Sequence, residues 1–196
     1  MQFDEDFRGF SFQKEGPLDM RMDPTTDLTA QDVINEFSES ELGTLFRDLG
    51  EERFWKRGAK AVVEARRKRK ITTTTELAQV IEKAVPRKQG IHPATRIFQA
   101  IRIYVNKELE SIEGSLKKAI EVLAPGGKIG VLSFHSLEDR IVKNVFREAS
   151  KSLKGLEQKP LLELLTKKPR VPTLLEKRIN RRSRSAKLRF AMKLSI

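Results

Sequence analysis

Only two segments of this 196-residue chain have the pattern of a β-strand, and the rest of its regular sequence is helical in pattern. The first is the apolar run KIGVLSF at 128–134, which follows the turn sequence APGG and is expected to be a buried, central strand. The second is the alternating segment AKLRFAMKLSI at 186–196. Two strands do not make a stable open sheet by themselves. Either the domain is chiefly helical, or further strands precede this sequence in the full protein.

Helical signals fill most of the remainder. Capping signals and apolar spacing predict six helices: two short ones from Thr29 and from Ser38 that end near Gly50, then 51–68, Thr73 or Thr74 to Pro86, 94–123, and Ser136 to about Ala149. The segment 94–123 is expected to be one long helix, because its apolar residues recur at intervals of three, four and seven. Residues 1–27 sustain no period and are expected to form an ordered loop.

Charge is distributed unevenly along the chain. Residues 151–196 hold fourteen lysines and arginines against three glutamates, a balance of +11 within a net charge of +12, whereas residues 1–58 carry −7. A concentrated cationic segment binds polyanions by releasing their counterions, so RNA, DNA or a ribosome is the expected partner. Arg181, Arg182 and Arg184 are the predicted phosphate contacts. The alternative is a solvated basic tail that only aids solubility.

The composition excludes several classes of site. The chain has no cysteine, which excludes disulfides, thiolate nucleophiles and sulfur-ligated metals. Its two histidines, His92 and His135, are too few for a histidine-rich metal centre, so we expect no metal. No stretch approaches the roughly 18 consecutive apolar residues of a membrane span, and the first residues lack the pattern of a secretory leader. We therefore expect a soluble, cytoplasmic protein with no membrane partner.

Several motif segments carry most of the remaining information. They are RGFSF at 8–12 with GPLDMRMD at 16–23, GEERF at 50–54, HPATRIFQAIRIYVN at 92–106, APGGKIGVLSFHSLEDRIVK at 124–143, and NRRSRSAKLR at 180–189. In this order they closely resemble the RsmH family, also called MraW, over essentially the whole chain. The resemblance implies an enzyme that uses S-adenosyl-L-methionine to methylate the exocyclic amine of a cytidine. The substrate that it implies is 16S ribosomal RNA or the small ribosomal subunit.

The resemblance also implies a fold and a division of the chain. The fold class is α/β, namely the C-terminal part of a Rossmann-like methyltransferase with an inserted all-helical domain. Residues 1–27 would be a loop of the methyltransferase domain, 28–90 the inserted helical domain, and 91–196 the return to the methyltransferase domain with a basic C-terminal segment.

The cofactor loop of the family has no counterpart in this sequence. Family members begin with a strand and a glycine-rich loop that cradles the methionine part of the cofactor, and neither pattern occurs here. We therefore expect the chain to be N-terminally truncated. Gln2, six residues before RGFSF, is the one remaining cofactor contact that the resemblance implies.

Four polar residues lie on one line of the helix that begins near residue 94. They are Arg96, Gln99, Arg102 and Asn106. Two guanidiniums and two amides can hold phosphate and read base edges. Alternatively, they connect the helix to a loop such as 8–23 by hydrogen bonds. With the resemblance favouring function, we predict Arg96 and Gln99 as residues of the catalytic pocket and the other two as RNA contacts.

A charged loop precedes the first helix. Asp19, Arg21 and Asp23 are expected to pair with the arginines of the later helix and shape a pocket wall. A purely structural network of ion pairs is the alternative.

His135 is the third predicted catalytic residue. It follows the end of a strand, where α/β sheets bind ligands, and could contact the cytosine or fill a structural position. Ser136 and Asp139 beside it are expected to cap a helix. They do not suggest a hydrolase triad, because triad residues come from distant segments.

Two classes of function therefore remain. One is the methyltransferase acting in rRNA processing, and the other is a non-catalytic RNA- or ribosome-binding module built from the basic tail and the helices. The charge distribution supports both. The LAPGG turn before a strand resembles methyltransferases and supports only the first.

Overall fold

The computed structural model describes residues 8–87, 90–151 and 159–195. The chain divides into two compact units, Met1–Lys107 and Glu108–Ile196. In the described residues the first unit is helical, and the second combines helices with a three-stranded sheet. The expected mixed α/β class is confirmed at this level. The units divide at 107, whereas the sequence placed a domain boundary near 90, and that assignment of domains stays a prediction.

Five helices form the first unit. They are α1 (Ala30–Glu36), α2 (Glu39–Asp48), α3 (Trp55–Lys68), α4 (Thr74–Ala84) and α5 (Ala94–Val105). Capping boxes start three of them, because Thr29, Ser38 and Thr73 each accept a backbone N–H three residues on. The first, second and fourth predicted helices are therefore confirmed with their caps. Helix α3 begins four residues later than expected, since Glu51 takes a left-handed conformation with φ 49° and a turn follows it.

The core of the first unit forms around α5. This helix buries Ile97, Phe98 and Ile101, which join a cluster with Phe46 of α2. The loop before α1 contributes Leu18, which is 1% exposed, so residues 8–27 form the ordered loop that was expected. Burial of a large apolar side chain stabilises a fold by about 1.5–3 kcal/mol.

The single long helix expected at 94–123 is wrong. Helix α5 ends at Val105, Lys107 has a left-handed φ of 48°, and α6 (Glu108–Val122) begins directly afterwards. The apolar repeat has the same phase before and after this break, with Val105 seven residues ahead of Ile112. The hydrophobic pattern therefore could not reveal the break.

The second unit contains a small antiparallel sheet. Its further elements are β1 (Lys128–Ser133), α7 (Ser136–Ala149), β2 (Leu162–Leu164), α8 (Leu174–Ile179), a 3₁₀ turn (Arg181–Ser185) and β3 (Lys187–Lys193). The strand order is β1-β3-β2. The expectation of two strands is therefore wrong, because it missed the three-residue strand β2. The expected central position of β1 is also wrong for the described strands, because β3 occupies the centre. Leu132 of β1 is 53% exposed.

Helix α7 covers one face of this sheet. Its residues Val142, Val145 and Phe146 are buried in a cluster with Leu162 of β2 and Ala191 of β3. None of the described helices is long and apolar enough to cross a membrane.

Candidate functional site

Two motif segments, 50–54 and 92–106, meet in the first unit. A Cβ at Gly50 would lie 2.6 Å from the carbonyl oxygen of Phe46 and 2.7 Å from that of Arg96. Arg96 also donates from Nη1 to the carbonyl oxygen of Glu51 at 2.7 Å. A residue without a side chain thus lets the loop lie directly against α5, and a guanidinium holds it there.

A cleft of about 280 Å³ opens where these segments meet. Its lining includes Arg53, Arg87 and Arg96 together with Phe54 and His92. A phosphate or a planar base is the kind of group that guanidiniums and aromatic rings bind.

The acidic residue in this lining, Glu52, is already committed to the fold. Its side chain accepts the backbone N–H of Phe54 at 2.8 Å, and the residue is 7% exposed. Glu52 therefore shapes the loop, and the exposed charges of the cleft are cationic.

A third motif, RGFSF, packs against His92 of the cleft lining. The ring of Phe12, from RGFSF, lies 4.6 Å from the ring of His92 and 4.9 Å from that of Phe98. His92 accepts the backbone N–H of Ala94 on Nδ1 at 3.2 Å, so in the neutral ring Nε2 carries the proton. Nε2 lies 3.7 Å from a carboxylate oxygen of Glu82. His92 is thereby fixed at the start of α5.

Asn106, at the other end of α5, uses both the oxygen and the nitrogen of its amide to hold a loop. Its Oδ1 accepts the N–H of Met22 at 2.6 Å, and Nδ2 donates to the carbonyls of Met20 at 2.7 Å and Arg102 at 2.9 Å. These bonds correspond to the alternative in which the polar line connects helix and loop. The RNA contact predicted for Asn106 stays a prediction.

The four residues of the predicted polar line therefore do not have one common environment. Arg96 lies at the cleft, Asn106 lies about 15 Å further along the helix axis, and Gln99 and Arg102 lie between them, half-buried.

The charged loop at 19–23 is paired internally. Asp19 accepts from Nε and Nη2 of Arg21, both at 2.8 Å. These bonds hold the pKa of Asp19 below its usual value. Asp23 accepts from the N–H and hydroxyl of Thr25 at 2.9 and 2.7 Å. The expected pairing with the later helix is not formed with Arg96, which binds the backbone carbonyl of Glu51.

His135 is the N-cap of α7, so the cap expected at Ser136 is wrong by one residue. Nδ1 of His135 accepts the N–H of Glu138 at 3.4 Å. In return, Glu138 Oε2 accepts the N–H groups of Phe134 at 2.7 Å and His135 at 3.2 Å. Histidine is not among the usual N-cap residues, which is why the adjacent serine was the stronger signal.

The same residues form the one group of possible metal ligands among the described residues. Ligand atoms of Glu108, His135 and Glu138 lie within 4.8 Å of one another. His135 Nε2 is buried, 3.3 Å from Glu138 Oε1 and outside hydrogen-bond geometry. Because Nδ1 accepts the capping N–H, Nε2 carries the proton and has no lone pair for a metal. A metal would therefore require the cap to break.

Burial raises the pKa of Glu138, but its contacts with His135 and with the N–H of Phe134 outweigh burial. The pKa therefore lies below its usual value. The carboxylate remains ionised, as its capping role requires.

Asp139 connects two motif segments instead of capping α7. Its carboxylate accepts from Arg189 Nε at 2.7 Å and Nη2 at 3.2 Å, and from Lys187 Nζ at 3.3 Å. Burial raises the pKa of Asp139, but the hydrogen bonds and charges of Arg189 and Lys187 outweigh burial. The pKa of Asp139 therefore lies below its usual value. Arg189 is 7% exposed, so this is a buried ion pair. Removal of either charged group would leave the other buried without its partner.

A sequence profile of the MraW methylase family matches residues 1–194. The chain belongs to the MraW methylase family. The resemblance inferred from the motifs is therefore confirmed.

Relatives of this MraW-family chain carry the name ribosomal RNA small subunit methyltransferase H. The protein of Persephonella marina is 54% identical over 190 residues, which cover 95% of this chain and 62% of the relative. That of Carboxydothermus hydrogenoformans is 51% identical, covering 99% and 66%. That of Protochlamydia amoebophila is 49% identical, covering 98% and 65%. The chain thus spans 62 to 66% of the length of these relatives.

The predicted tail contacts of the MraW-family chain lie on the 3₁₀ turn. Arg181, Arg182 and Arg184 are all exposed, while Ser183 between them is buried. Asn180 Oδ1 accepts the backbone N–H of Arg182 at 3.0 Å and so starts the turn. Gln2, the predicted cofactor contact, lies outside the described residues.

Sequence reasoning missed two arginines of the cleft. Arg53 lies within residues 1–58, whose net charge is −7, and Arg87 belongs to none of the motif segments. The available signal was local: residues 53–70 hold nine lysines and arginines against one glutamate.

Proposed function

We propose that this MraW-family chain is part of an S-adenosyl-L-methionine-dependent enzyme that methylates the exocyclic amine of a cytidine in 16S ribosomal RNA. The observation that carries the proposal is the identity of 49 to 54% to relatives named ribosomal RNA small subunit methyltransferase H. The 16S rRNA, free or in the small ribosomal subunit, is the proposed substrate, and the cytoplasm is the proposed location. The second unit is proposed to complete a Rossmann-like sheet, and the helices at 28–90 to be an insertion in it.

The described residues do not by themselves fit the cofactor. Nucleotide-binding sheets use a glycine-rich loop and a carboxylate that binds ribose. Within the described ranges no glycine-rich loop follows a strand, and the one expected contact, Gln2, lies outside them. The cofactor would supply the methyl group.

The residues of this chain are proposed to hold and orient RNA. Arg181, Arg182 and Arg184 are proposed as phosphate contacts, which position RNA without reading its sequence. Arg102 and Asn106 are proposed as further RNA contacts near the loop at 19–23. Exposure of the tail arginines supports their role.

Arg96, Gln99 and His135 are proposed as residues of the catalytic pocket. Transfer of a methyl group needs the amine to lie in line with the methyl carbon, so positioning is the main contribution of side chains. The Nε2–H of the neutral His135 ring, buried and without a hydrogen-bond partner among the described residues, is the proposed donor to a base acceptor, and the cap keeps that ring in one orientation.

A methyl-incorporation assay tests the proposal. The chain is extended to the length of its relatives with the additional segment of the Persephonella marina protein. It is then incubated with labelled cofactor and either small subunits or 16S rRNA transcripts. We expect label in RNA, recovered as N4-methylcytidine after nuclease digestion. Label in another nucleoside, or none with a folded protein that binds the cofactor, would contradict the proposal.

The alternative is a non-catalytic module that binds RNA or the ribosome. The exposed arginines of the 3₁₀ turn favour it as much as the enzyme. RNA binding by the extended chain with no methyl incorporation would support this alternative.

A further inference from the structure

The cleft of the first unit combines cations with little opposing charge. Three arginines, Arg53, Arg87 and Arg96, line it against the single carboxylate of Glu52. That carboxylate is buried and accepts a backbone N–H. The lining therefore has three guanidiniums and no exposed carboxylate. Such a group of cations creates a local positive potential, which attracts phosphate.

One of these guanidiniums is already held in position. Arg96 donates to the carbonyl oxygen of Glu51 through Nη1. A guanidinium has five N–H donors, so this bond orients the group while other donors remain to bind a phosphate oxygen. Holding the group in advance reduces the entropy that binding costs.

Aromatic rings with cations beside them lie at the start of α3. The guanidinium carbons of Arg53 and Arg57 lie 5.9 and 5.6 Å from the ring centre of Phe54. Lys56 Nζ lies 5.2 Å from the ring centre of Trp55. Single-stranded nucleic acids bind surfaces of this kind, because bases stack on aromatic and guanidinium planes while cations hold the backbone.

We propose that the cleft lined by Arg53, Phe54, Arg87 and Arg96 binds single-stranded RNA. The guanidiniums hold phosphates, and Phe54 with the arginines beside it provides planes for stacking. The site rests on the proposed function, since it gives that function's RNA substrate a binding site on the first unit, separate from the basic tail. An acidic protein segment is the competing ligand and is an outcome of the test.

Binding of a labelled 12-nucleotide oligouridylate to the chain tests the site. The variant R53Q/R87Q removes two exposed cleft cations, and the control K60Q/K117Q removes two exposed lysines outside the cleft lining, on α3 and α6, which pair with Glu64 and Glu113. Both pairs are made in a chain that also carries R181Q/R182Q/R184Q, so that the tail does not dominate. Circular dichroism melts establish that the variants remain folded.

We expect R53Q/R87Q to weaken binding about tenfold and to reduce the slope of log affinity against log salt by about 1.4, or about 0.7 for each lost phosphate contact. The control should change affinity less than about twofold, because the charge of each lysine is already offset by a glutamate on the same helix. Equal effects of the two variants would overturn the site. Stronger cleft-dependent binding of an acidic peptide than of oligouridylate would overturn the assignment to RNA.

A crosslink locates the contact independently. An oligonucleotide with 4-thiouridine should crosslink to a peptide that contains residues 53–57, and crosslinks confined to other peptides would contradict the site. In the extended enzyme, R53Q/R87Q should raise KM for RNA severalfold with kcat largely unchanged. If the extended R53Q/R87Q enzyme methylates RNA with an unchanged KM, the RNA site in the cleft is contradicted and the proposed function is not. If RNA binding depends on the cleft but the extended enzyme does not methylate RNA, the proposed function is contradicted and the RNA site is not.

Discussion

Helices α5 and α7 each carry a motif, but they hold their surroundings by different chemistry. Helix α5 uses neutral backbone partners: Asn106 binds backbone groups of Met20 and Met22, and Arg96 binds the carbonyl of Glu51. Helix α7 uses ionised carboxylates, since Glu138 caps the helix and Asp139 binds Arg189. The α5 bonds fix loops beside a cleft, whereas the α7 bonds depend on charge and therefore on pH and on both partners being present.

The largest effect is expected where a buried charge loses its partner. Asp139→Asn would leave Arg189 buried and unpaired, which costs about 3–5 kcal/mol of unfolding free energy. Asp48→Asn is the matched control, since Asp48 pairs with Arg47 on the surface and should cost less than about 1 kcal/mol. Urea unfolding followed by circular dichroism and by amide resonances of β3 measures both. Similar costs for the two variants would contradict the buried pair.

Removing the α5 amide should cost less, because its partners are neutral. Asn106→Ala leaves the N–H of Met22 and the carbonyl of Met20 without their partner, at about 1–3 kcal/mol. Hydrogen exchange of the Met22 amide should accelerate, while that of the buried α5 residue Ile101 changes little. Unchanged exchange at Met22 would show that the loop is held by other contacts.

Acid should weaken the α7 contacts before those of α5. The pKa of Asp139 is lowered in the fold, so its ionised form stabilises the protein above its unfolded pKa of about 3.9. That contribution is lost as pH falls through the folded pKa. Amide spectra followed from about pH 5 down to about pH 2, a range that extends below the unfolded pKa, should show β3 and α7 resonances changing at higher pH than those of Ile97 and Ile101. The opposite order would contradict the comparison.

Local signals in the sequence predicted the helix starts well. Thr29, Ser38 and Thr73 each have an acidic residue three positions on, and each is the observed cap. The pattern failed at His135, because Ser136 with Asp139 resembles a capping box while Asp139 in fact binds a strand 50 residues away. Contacts of that range carry no local pattern.

The alternating pattern at 186–196 correctly predicted strand β3, but it did not show which face of the strand is buried. Leu188 and Phe190 of β3 are half-buried, while Arg189 and Ala191 are buried under α7. A buried arginine is favourable only beside Asp139, which the alternation cannot show.

The sequence predicted only part of the lining of the candidate cleft. Arg96 was identified from its motif, but Arg53 was hidden in a segment whose average charge is negative. Only folding brings the loop at 50–54 to α5, through the close approach at Gly50.

The smallest effect on stability is expected at His135, where the cap and the proposed catalytic role can be separated. Asparagine is a preferred N-cap residue, and its side-chain oxygen can accept the N–H of Glu138 as Nδ1 of His135 does. His135→Asn should therefore keep the unfolding free energy within about 0.5 kcal/mol, while His135→Ala should cost about 1 kcal/mol. In the extended enzyme, a catalytic contact through Nε2 predicts that both variants lose methylation to a similar degree, because neither retains that N–H. A purely structural role predicts instead that His135→Asn keeps full activity and that the loss in His135→Ala follows its loss of stability. Thermal unfolding and methyl incorporation, measured on the same preparations, decide between these outcomes.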